Sequence, residues 1–457
     1  MIRNKPFRRA GCLLVLCCVP LGAGAADPES KQPPNIVFIL ADDLGWTDVG
    51  CFGSDFYQTP AIDRLAAEGM RFTDSYAACH VCSPTRASIM TGKYPARLHL
   101  TDYIAGGKDR GLRSPVWTKH LLLEEVTLAE ALGQAGYVCG HFGKWHLNQD
   151  KNYRPGRPMD PASQGFNDVL TTVKPTRDAS PTGDPHHARE ITDRAVAFIE
   201  QHRDGPFFCY VTHNTVHRPI IGHPDLVALY EGRLRPGLRH GNPAYAAMVH
   251  DLDQSVSRIT AQLEALGLSE RTLVVFTSDN GGLLDDDQDR GTSNHPLRGG
   301  KGTNFEGGVR IPTIVRWPGV VAPASVCHEP VISLDFFPTL LVAAGLDPED
   351  AAGTDIDGVS LAPLLKDAAA RLEREALYWH YPHYHAAGAT PHGAVRAGPW
   401  KLIEFYEDDR VELYDLSRDV GEQHDLSTAR PETADRLRMR LHRWREEVGA
   451  QMPLPAE

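Results

Sequence analysis

Short apolar runs separated by amphipathic segments mark the first two thirds of the chain. The apolar runs lie at 35–40, 137–140, 206–211 and 273–277. A run that is apolar at successive positions, rather than at alternate ones, is typical of a strand buried on both faces of a parallel sheet. The amphipathic segments predict helices that cover such a sheet. They lie at 60–70, 127–135, 190–202 and 245–266. The pattern therefore predicts an α/β domain built on a mostly parallel sheet between helices.

The pattern changes near residue 369. Short segments with the composition of antiparallel strands follow at 376–381, 393–396, 400–405 and 411–416. A closing helix is predicted from about 431 to 448. These features indicate a small C-terminal subdomain at 369–457. Within the main domain, residues 148–185 have weak periodicity, and we expect them to form a surface insertion near the pocket mouth.

The first 25 residues have the features of a Sec signal peptide. Four basic residues precede an apolar run at 11–21, and an Ala-Gly-Ala cleavage site follows at 23–25. This predicts a secreted or periplasmic protein whose main domain spans 26–368. The apolar run is too short to cross a membrane, and no other stretch approaches that length, so we expect no transmembrane segment.

The charge balance limits the classes of partner. The formal net charge is −12, and loss of a signal segment with four cations and no acid makes it −16. An acidic chain of this kind does not bind nucleic acid through a general electrostatic footprint. An anionic substrate would need a local cluster of cations. Six of the nine cysteines lie outside the signal segment, too few for a disulfide-dense scaffold.

Polar residues follow each of the four predicted strands directly. The pairs are Asp42 with Asp43, Lys144 with His146, His213 with His217, and Asp279 with Asn280. Sites in open α/β sheets lie beyond the carboxyl ends of the strands. Adjacent carboxylates repel each other unless a cation lies between them, and oxygen ligands suit Ca²⁺ or Mg²⁺. Taken alone, the Asp pair also fits a polar turn, and the Lys-x-His group also fits a solvated turn.

The run Cys-Ser-Pro-Thr-Arg at 82–86 predicts a loop that enters a short helix ending at Gly92. Cys82 would lie just before the helix N-terminus, where backbone N–H groups favour negative charge. Arg86, one turn further, is able to fork onto an oxyanion. The stretch therefore fits a site that holds sulfate or phosphate against a nucleophile. A buried cysteine at a loop–helix junction is the alternative.

This Cys-x-Pro-x-Arg run, followed by Ala-Ser-Ile-Met-Thr-Gly-Lys-Tyr-Pro, resembles the signature of the type I, formylglycine-dependent sulfatases. The Gly-Lys-Trp-His at 143–146 and the Arg-Gly-Gly-Lys at 298–301 also resemble motifs of that family, which is arylsulfatase-like and belongs to the alkaline phosphatase superfamily. The resemblance covers nearly the whole mature chain. It implies an alkaline-phosphatase-like fold, with a large mixed sheet and the small C-terminal subdomain, and the activity of a sulfuric ester hydrolase.

The resemblance also implies roles for individual residues. Cys82 would be oxidised to Cα-formylglycine (3-oxoalanine) by a formylglycine-generating or related maturase. The implied catalytic residues are Cys82, Arg86, Lys144, His146, His217 and Lys301. The implied metal ligands are Asp42, Asp43, Cys82, Asp279 and Asn280. Calcium is the expected ion, with magnesium as the second choice.

In the mechanism that the resemblance implies, a hydroxyl of the hydrated aldehyde attacks sulfur. His217, assisted by Lys301, protonates the departing alcohol. His146 then takes a proton from the second hydroxyl, which expels sulfate and restores the aldehyde. A serine has no second hydroxyl, and this explains the need for the oxidised residue.

The expected substrate is a sulfated carbohydrate, such as a glycosaminoglycan or an algal galactan, or an aryl sulfate. Candidate substrate-binding residues are Tyr103, His213, Asn294, Arg298 and His383. His213 would either contact the sulfate or support His217, and the loop at 380–385 would either bind sugar or pack the subdomain joint. Two other functions remain open at this stage. One is a phosphate or phosphonate ester hydrolase of the same superfamily, and the other is a non-catalytic glycan-binding protein with an unoxidised Cys82.

Overall fold

The computed structural model describes residues 1–2, 32–149, 153–284 and 291–456. The predicted signal peptide lies almost wholly outside the described residues. Residues Pro33–Glu457 form one compact unit, to which everything below refers. Across the described ranges, none of the helices combines the length and the apolar character needed to cross a membrane.

Strands and helices alternate through most of this unit. The strands are β1 Asn35–Ala41, β2 Met70–Phe72, β3 Ser75–Tyr76, β4 Leu112–Arg113, β5 Val138–Gly143, β6 Asp168–Thr171, β7 Phe207–Thr212, β8 Thr272–Ser278, β9 Thr313–Arg316, β10 Ser325–Cys327, β11 Val331–Ile332, β12 Leu377–Tyr381, β13 His392–Ala397, β14 Trp400–Phe405, β15 Val411–Asp415 and β16 Leu454–Pro455. The helices are α1 Pro60–Ala67, α2 Cys82–Thr91, α3 Pro95–Leu98, α4 Leu128–Gln134, α5 Ala188–Gln201, α6 Pro224–Glu231, α7 Pro243–Ala265, α8 Glu306–Val309, α9 Phe336–Ala343, α10 Pro348–Ala352, α11 Ala362–Lys366 and α12 Pro431–Glu447.

The main sheet has eight strands in the order β10-β2-β9-β8-β1-β7-β5-β6. β1 pairs in parallel with β7 and β8, and β5 pairs in parallel with β7 and β6. β9 runs antiparallel to both β8 and β2, so the sheet is mixed but mostly parallel. The fold class expected from the sequence is therefore confirmed.

Strand β1 shows why the apolar run is continuous. Ile36, Phe38 and Leu40 belong to the hydrophobic core on one face of the sheet. Val37 and Ile39 belong to the core on the other face. Helices such as α9 and α7 supply the facing side chains of the two cores. Because both faces are covered, all seven residues of the strand are buried, and the six that follow Asn35 are apolar.

The C-terminal sheet is an antiparallel meander in the order β12-β13-β14-β15, and α12 packs on it. Its strands match those predicted, within one residue at most boundaries. A buried ionic group joins it to the rest of the molecule. Lys401 on β14 lies 2.9 Å from a carboxylate oxygen of Glu306 and 2.9 Å from one of Glu422, and none of the three side chains is exposed.

Two local expectations were wrong. Helix α2 begins at Cys82 itself, so the cysteine is the first residue of the helix and does not precede it. The segment 148–185 is not only a surface insertion, because it contains β6, the edge strand beside β5. This strand is four residues long and half-buried, and its sequence, Asp-Val-Leu-Thr, has too little apolar character to predict a buried strand.

Candidate active site

The polar residues that follow the buried strands meet at one edge of the main sheet. The backbone N–H of Asp279 donates to the carbonyl of Ala41, which closes β1, at 3.2 Å. The N–H of Asp42 donates to Thr215 O at 2.9 Å, and that of Lys144 donates to Thr212 O at 2.8 Å. The turns after β1, β5, β7 and β8 are therefore hydrogen-bonded to one another, and their side chains converge.

Cys82 projects from the first residue of α2 into this convergence. Its Sγ lies 3.4 Å from Asp42 Oδ1, 3.8 Å from Asp43 Oδ1 and 3.4 Å from Lys301 Nζ. All ten residues of α2 are buried, although five of them carry polar side chains. Burial raises the pKa of the Cys82 thiol, so the unmodified side chain is a neutral thiol at pH 7.

Each of three buried carboxylates has its own cation. Lys144 Nζ lies 2.7 Å from Asp42 Oδ2, and Lys301 Nζ lies 2.6 Å from Asp43 Oδ1. Arg86 contacts Asp279 Oδ2 through Nε and through a terminal nitrogen, both at 2.8 Å. Each ion of the cluster depends on its partner, because removal of one partner leaves a buried charge without compensation, which is strongly destabilising.

The carboxylates differ in how well their charge is compensated. Burial opposes ionisation of Asp42, yet nearby cations led by Lys144 hold its pKa well below the usual range. Burial also opposes ionisation of Asp43, and Lys301 outweighs it, so that pKa is lowered too. For Asp279, burial prevails over the attraction of Arg86 and raises the pKa to about 6. The cluster therefore has room for further positive charge.

The donor set fits a hard divalent cation. Ligand atoms of Asp42, Asp43, Cys82 and His217 all lie within 4.8 Å of one another. The Oδ1 of Asn280 is buried and accepts no hydrogen bond from the described residues, while its Nδ2 donates to Asp43 Oδ1 at 2.8 Å. An orphaned amide oxygen beside buried carboxylates is the donor chemistry that Ca²⁺ and Mg²⁺ prefer. The Asp279 carboxylate also accepts from the backbone N–H of Asp43 at 3.1 Å.

Two imidazoles flank the carboxylates. His217 Nδ1 lies 2.7 Å from Arg218 O and must carry the proton, because a carbonyl only accepts; this leaves Nε2 as the lone-pair nitrogen, 3.6 Å from Asp43 Oδ2. Burial, followed by Lys301, lowers the pKa of His217 to about 3. By the same argument His146 Nε2, 3.2 Å from Ile104 O, carries a proton, so Nδ1 is the basic nitrogen of its neutral ring. Burial, followed by Lys144, lowers the pKa of His146 well below its usual value.

Four of the five candidate substrate-binding residues hydrogen-bond to the protein itself, away from the carboxylates. His213 Nε2 lies 2.8 Å from Ser255 Oγ on α7. Asn294 Nδ2 donates to the carbonyls of residues 282 and 299, at 2.9 and 3.1 Å. Arg298 donates to the hydroxyl of Tyr414 at 2.9 Å, and its guanidinium lies over a phenyl ring. These contacts position loops, because buried polar groups need partners.

The two histidines of the loop after β12 have different surroundings. His383 is buried, with Nε2 2.8 Å from Thr101 Oγ1. His385 instead lies against the lysine loop of the site, since a Cβ on Gly302 would meet His385 Nδ1 at 2.2 Å. The fifth candidate, Tyr103, packs edge-on against His385 at 5.5 Å between ring centroids. The sequence indicated this loop, but its spacing gave no sign of which imidazole lies against Gly302.

Lys174 is a further cation that the sequence pattern missed. It follows the edge strand β6, whose carboxyl end lies beside that of β5. The neighbouring Thr172 accepts a hydrogen bond from Asn214 Nδ2 at 2.7 Å, which ties this turn to the histidine loop. The Lys174 side chain is exposed. Partial desolvation of its ammonium, followed by the charge of Lys144, lowers its pKa, which indicates that the ammonium lies within electrostatic reach of the site. Recognising β6 as a strand would have revealed it.

Comparison with known proteins gives two family matches. Residues 34–346 match the model of the sulfatase family, described as Sulfatase. Residues 300–447 match the model described as N-sulphoglucosamine sulphohydrolase, C-terminal.

Characterised relatives match along most of the chain. A sulfatase of Formosa agariphila is 32% identical over 509 residues, covering 93% of this chain and 90% of the relative. Human arylsulfatase A is 32% identical, covering 88% and 85%. The N-acetylgalactosamine-6-sulfatase of Canis lupus familiaris is 34% identical, covering 77% and 69%.

Solved structures agree with these matches. The crystal structure of Ps i-CgsB has a TM-score of 0.74 and 27% identity, covering 91% of this chain and 93% of that chain. The same protein was also solved in complex with k-i-k-neocarrahexaose. A phosphonate monoester hydrolase of Agrobacterium radiobacter has a TM-score of 0.69 at 18% identity, a likeness of fold alone.

Proposed function

Because this chain belongs to the sulfatase family and is a sulfuric ester hydrolase, we propose that it removes sulfate from a sulfated carbohydrate, with an aldehyde made from Cys82 beside a bound Ca²⁺. The observation that carries this proposal is the position of Cys82 Sγ, 3.4 Å from both Asp42 Oδ1 and Lys301 Nζ. The carbohydrate is supported by relatives such as N-acetylgalactosamine-6-sulfatase and by the oligosaccharide bound to Ps i-CgsB.

The formylglycine at position 82 supplies a nucleophilic hydroxyl when its aldehyde is hydrated. Cations of the site hold the sulfate group against it. Lys144 and Lys301 contact Asp42 and Asp43 beside Cys82. This supports a role for both ammonium groups in binding the sulfate oxygens. Arg86, fixed by Asp279, completes a positively charged wall that stabilises charge on the transferring group.

His217 donates the proton that the leaving alcohol needs. Its Nδ1–H is held by a backbone carbonyl, so Nε2 is the nitrogen that exchanges protons with the substrate. Its pKa is lowered to about 3, so the ring of the resting site is neutral. Nε2 would take up a proton from solvent when the anionic ester binds beside it, and transfer of that proton from Nε2 to the departing alkoxide is downhill. Lys301, which contacts the same Asp43 carboxylate, supplies charge beside the departing oxygen.

His146 acts in the second half of the cycle. Its Nε2–H is held by Ile104 O, so Nδ1 is the nitrogen that accepts a proton from the remaining hydroxyl at position 82. Burial and the cations Lys144 and Arg86 keep the ring neutral at pH 7, which is the form a base must have. Loss of that proton expels sulfate.

Asp42, Asp43, Asp279 and Asn280 would hold the divalent ion. The ion supplies positive charge to the sulfate oxygens and compensates the carboxylates. All-oxygen donors favour Ca²⁺ over softer metals, and Mg²⁺ is the second choice.

The proposal includes export, maturation and domain organisation. Residues 1–25 would direct secretion or export to the periplasm and then be removed. A formylglycine-generating or related maturase would act on Cys82 before α2 is buried, since the whole helix is inaccessible in the folded chain. The catalytic domain would span 26–368 and the C-terminal subdomain 369–457.

Mass analysis of the tryptic peptide ending at Arg86 tests the proposal directly. The peptide should show sulfur replaced by oxygen with loss of two hydrogens, in proportion to the activity on an aryl sulfate. A fully active enzyme whose peptide keeps its thiol would refute it. Assays of aryl sulfate and aryl phosphate in parallel test the ester preference, and a higher kcat/KM for the phosphate would overturn the sulfatase assignment.

A further inference from the structure

The wall of the site continues outward into residues 103–120, here named the rim segment. The backbone N–H of Ile104 donates to Ser83 Oγ on α2 at 3.0 Å, and its carbonyl accepts from His146 at 3.2 Å. From this anchor beside the catalytic helix the segment runs to the surface, where residues 107–111 are exposed. Its strand β4 pairs with β16, which fixes the far part of the segment.

The rim segment has the opposite charge to the rest of the molecule. It contains four cations, Lys108, Arg110, Arg113 and Lys119, and a single carboxylate, Asp109. The chain as a whole has a net charge of −12. Asp109 accepts hydrogen bonds from Ser114 within the segment. In the described part of the chain, Lys108, Arg110 and Lys119 form no ion pair with a carboxylate, so their charge faces solvent.

Aromatic rings support two of these cations. The guanidinium of Arg110 lies 6.0 Å from the centroid of the Tyr384 ring, and the ammonium of Lys119 lies 5.4 Å from that of Trp117. The Tyr384 hydroxyl accepts from the backbone N–H groups of residues 111 and 112, at 3.0 and 2.7 Å. A ring orders a cation without neutralising it, so the charge remains available to an external anion.

A continuous series of side-chain contacts leads from Lys301 to the surface. Lys301 is beside Gly302, which His385 touches, and Tyr103 packs on His385. Tyr384 follows in the same loop and supports Arg110. An anionic chain that places one sulfate ester at Lys301 therefore meets, further along, the partly exposed rings of Tyr103 and Trp117. It also meets the cations Lys108, Arg110 and Lys119, which form no ion pair with a carboxylate of the described residues. Sugars stack on rings, and sulfates bind cations.

We propose that the rim segment binds the flanking residues of a multiply sulfated polysaccharide, so that the enzyme takes its substrate as a polymer. This inference rests on the proposed function and adds a substrate class to it. The neighbouring sulfates of the polymer lie outside the catalytic pocket, on Lys108, Arg110 and Lys119, and they contribute affinity that a small aryl sulfate does not gain.

The test uses the calcium-loaded, aldehyde-containing enzyme and a triple variant, Lys108→Ser, Arg110→Ser and Lys119→Ser. A matched control triple removes three exposed cations outside the segment, Arg235→Ser, Arg436→Ser and Arg443→Ser. Binding of dextran sulfate, with neutral dextran as a blank, is measured by calorimetry at several salt concentrations. Hydrolysis of 4-methylumbelliferyl sulfate is measured in parallel, and circular dichroism verifies the fold of both triples.

We expect the rim triple to bind dextran sulfate at least tenfold more weakly than the control triple. The slope of log affinity against log salt should flatten by about two, as counterion release from three lost contacts requires. Hydrolysis of the aryl sulfate should stay within twofold. Equal losses in both triples, or no loss in the rim triple, would overturn the inference. Tighter binding to phosphatidylserine vesicles than to dextran sulfate would assign the surface to a membrane and also overturn it.

The two proposals fail separately. Absence of aryl sulfate hydrolysis by the unaltered enzyme counts against the proposed function, whatever the rim binds. Normal hydrolysis together with unchanged dextran sulfate binding in the rim triple counts against the inference alone.

Discussion

The floor of the site and its rim are held by different parts of the chain. The floor consists of Asp42, Asp43 and Asp279, which follow adjacent buried strands and are tied to one another through backbone hydrogen bonds. The rim consists of the segment 103–120 and the loop 381–389, which meet across the joint between the two sheets. The floor is buried and its ions are paired. In the rim, residues 107–111 are exposed, and Lys108, Arg110 and Lys119 form no ion pair with a carboxylate of the described residues. This division separates the chemistry from the choice of substrate, and the predictions below test that separation.

The largest effect is expected at the floor, for Cys82→Ser. The serine keeps one hydroxyl but cannot form the hydrated aldehyde, so each site completes at most one turnover. Loss of the nucleophile should lower the steady-state rate by roughly 10⁴-fold or more. The measurement is aryl sulfate hydrolysis, with a burst assay. Cys79→Ser, three residues earlier and also buried, is the control and should keep most of the activity. Wild-type steady-state turnover by the Cys82 variant would remove Cys82 from the mechanism.

The next effect is expected for Asp279→Ala. The substitution removes an acidic oxygen donor and leaves Arg86 buried without its carboxylate, which should cost about 3–5 kcal/mol of stability. Bound calcium, measured by atomic emission after dialysis, should fall from about one per chain to below a tenth, because a carboxylate of the proposed shell is gone.

Asp253→Ala is the matched control for this prediction. That carboxylate is equally buried, but it accepts hydrogen bonds from the N–H groups at the start of α1 and does not touch the site. It should lose stability and keep its calcium. Unchanged calcium in the Asp279 variant would exclude this residue from the ion's ligands.

A smaller and selective effect is expected at the rim, for His385→Ala compared with His383→Ala. The loss of His385 should raise KM for a sulfated disaccharide by about tenfold, the value of one good hydrogen bond to a charged group. It should leave the rate on an aryl sulfate nearly unchanged. His383→Ala should instead lower the melting temperature, because Thr101 loses a buried partner. Equal KM values for the two variants would contradict the prediction that His385 contacts the substrate.

The smallest effect is expected for Lys174→Met. Its ammonium is partly screened by solvent, so the loss of attraction for an anionic substrate should be about 0.5–1 kcal/mol, roughly threefold in kcat/KM. The difference should disappear at high salt. Arg177→Met is the control, because Arg177 lies on the same loop, is exposed, and forms no ion pair with the other described residues. A salt-independent change would indicate lost packing and contradict an electrostatic role.

The same division explains what the sequence predicted. Strands β1, β7 and β8 were predicted from their apolar runs, because burial on both faces leaves little choice of residue. The residues Asp42 and Asp279 were then located by a rule of geometry, since parallel strands end at one edge. The edge strand β6 was missed, because its half-buried residues carry no such pattern.

The contacts of the rim residues could not be predicted from the sequence, because they depend on tertiary structure. His383 was proposed for substrate binding, yet its hydrogen bond to Thr101 is a packing contact, and His385 faces the site instead. Asn294 and Arg298 lie in a loop with a recognisable motif, but their hydrogen bonds hold that loop in place. The two histidines of the loop 381–389 differ only in which distant segment they contact. His383 contacts Thr101 and His385 contacts Gly302, and the local sequence does not show this.

The buried triad of Lys401 with Glu306 and Glu422 has a consequence for how such enzymes diversify. Glu306 lies shortly after Lys301 on one side of the joint, while Lys401 lies in the sheet that carries the loop 381–389. Because solvent does not reach these three side chains, their contacts hold the two sheets at a fixed spacing. A loop taken from a relative and placed between β12 and β13 would therefore lie at the same distance from Lys301. Exchange of that loop would therefore change the rim and leave the residues around Cys82 as they are.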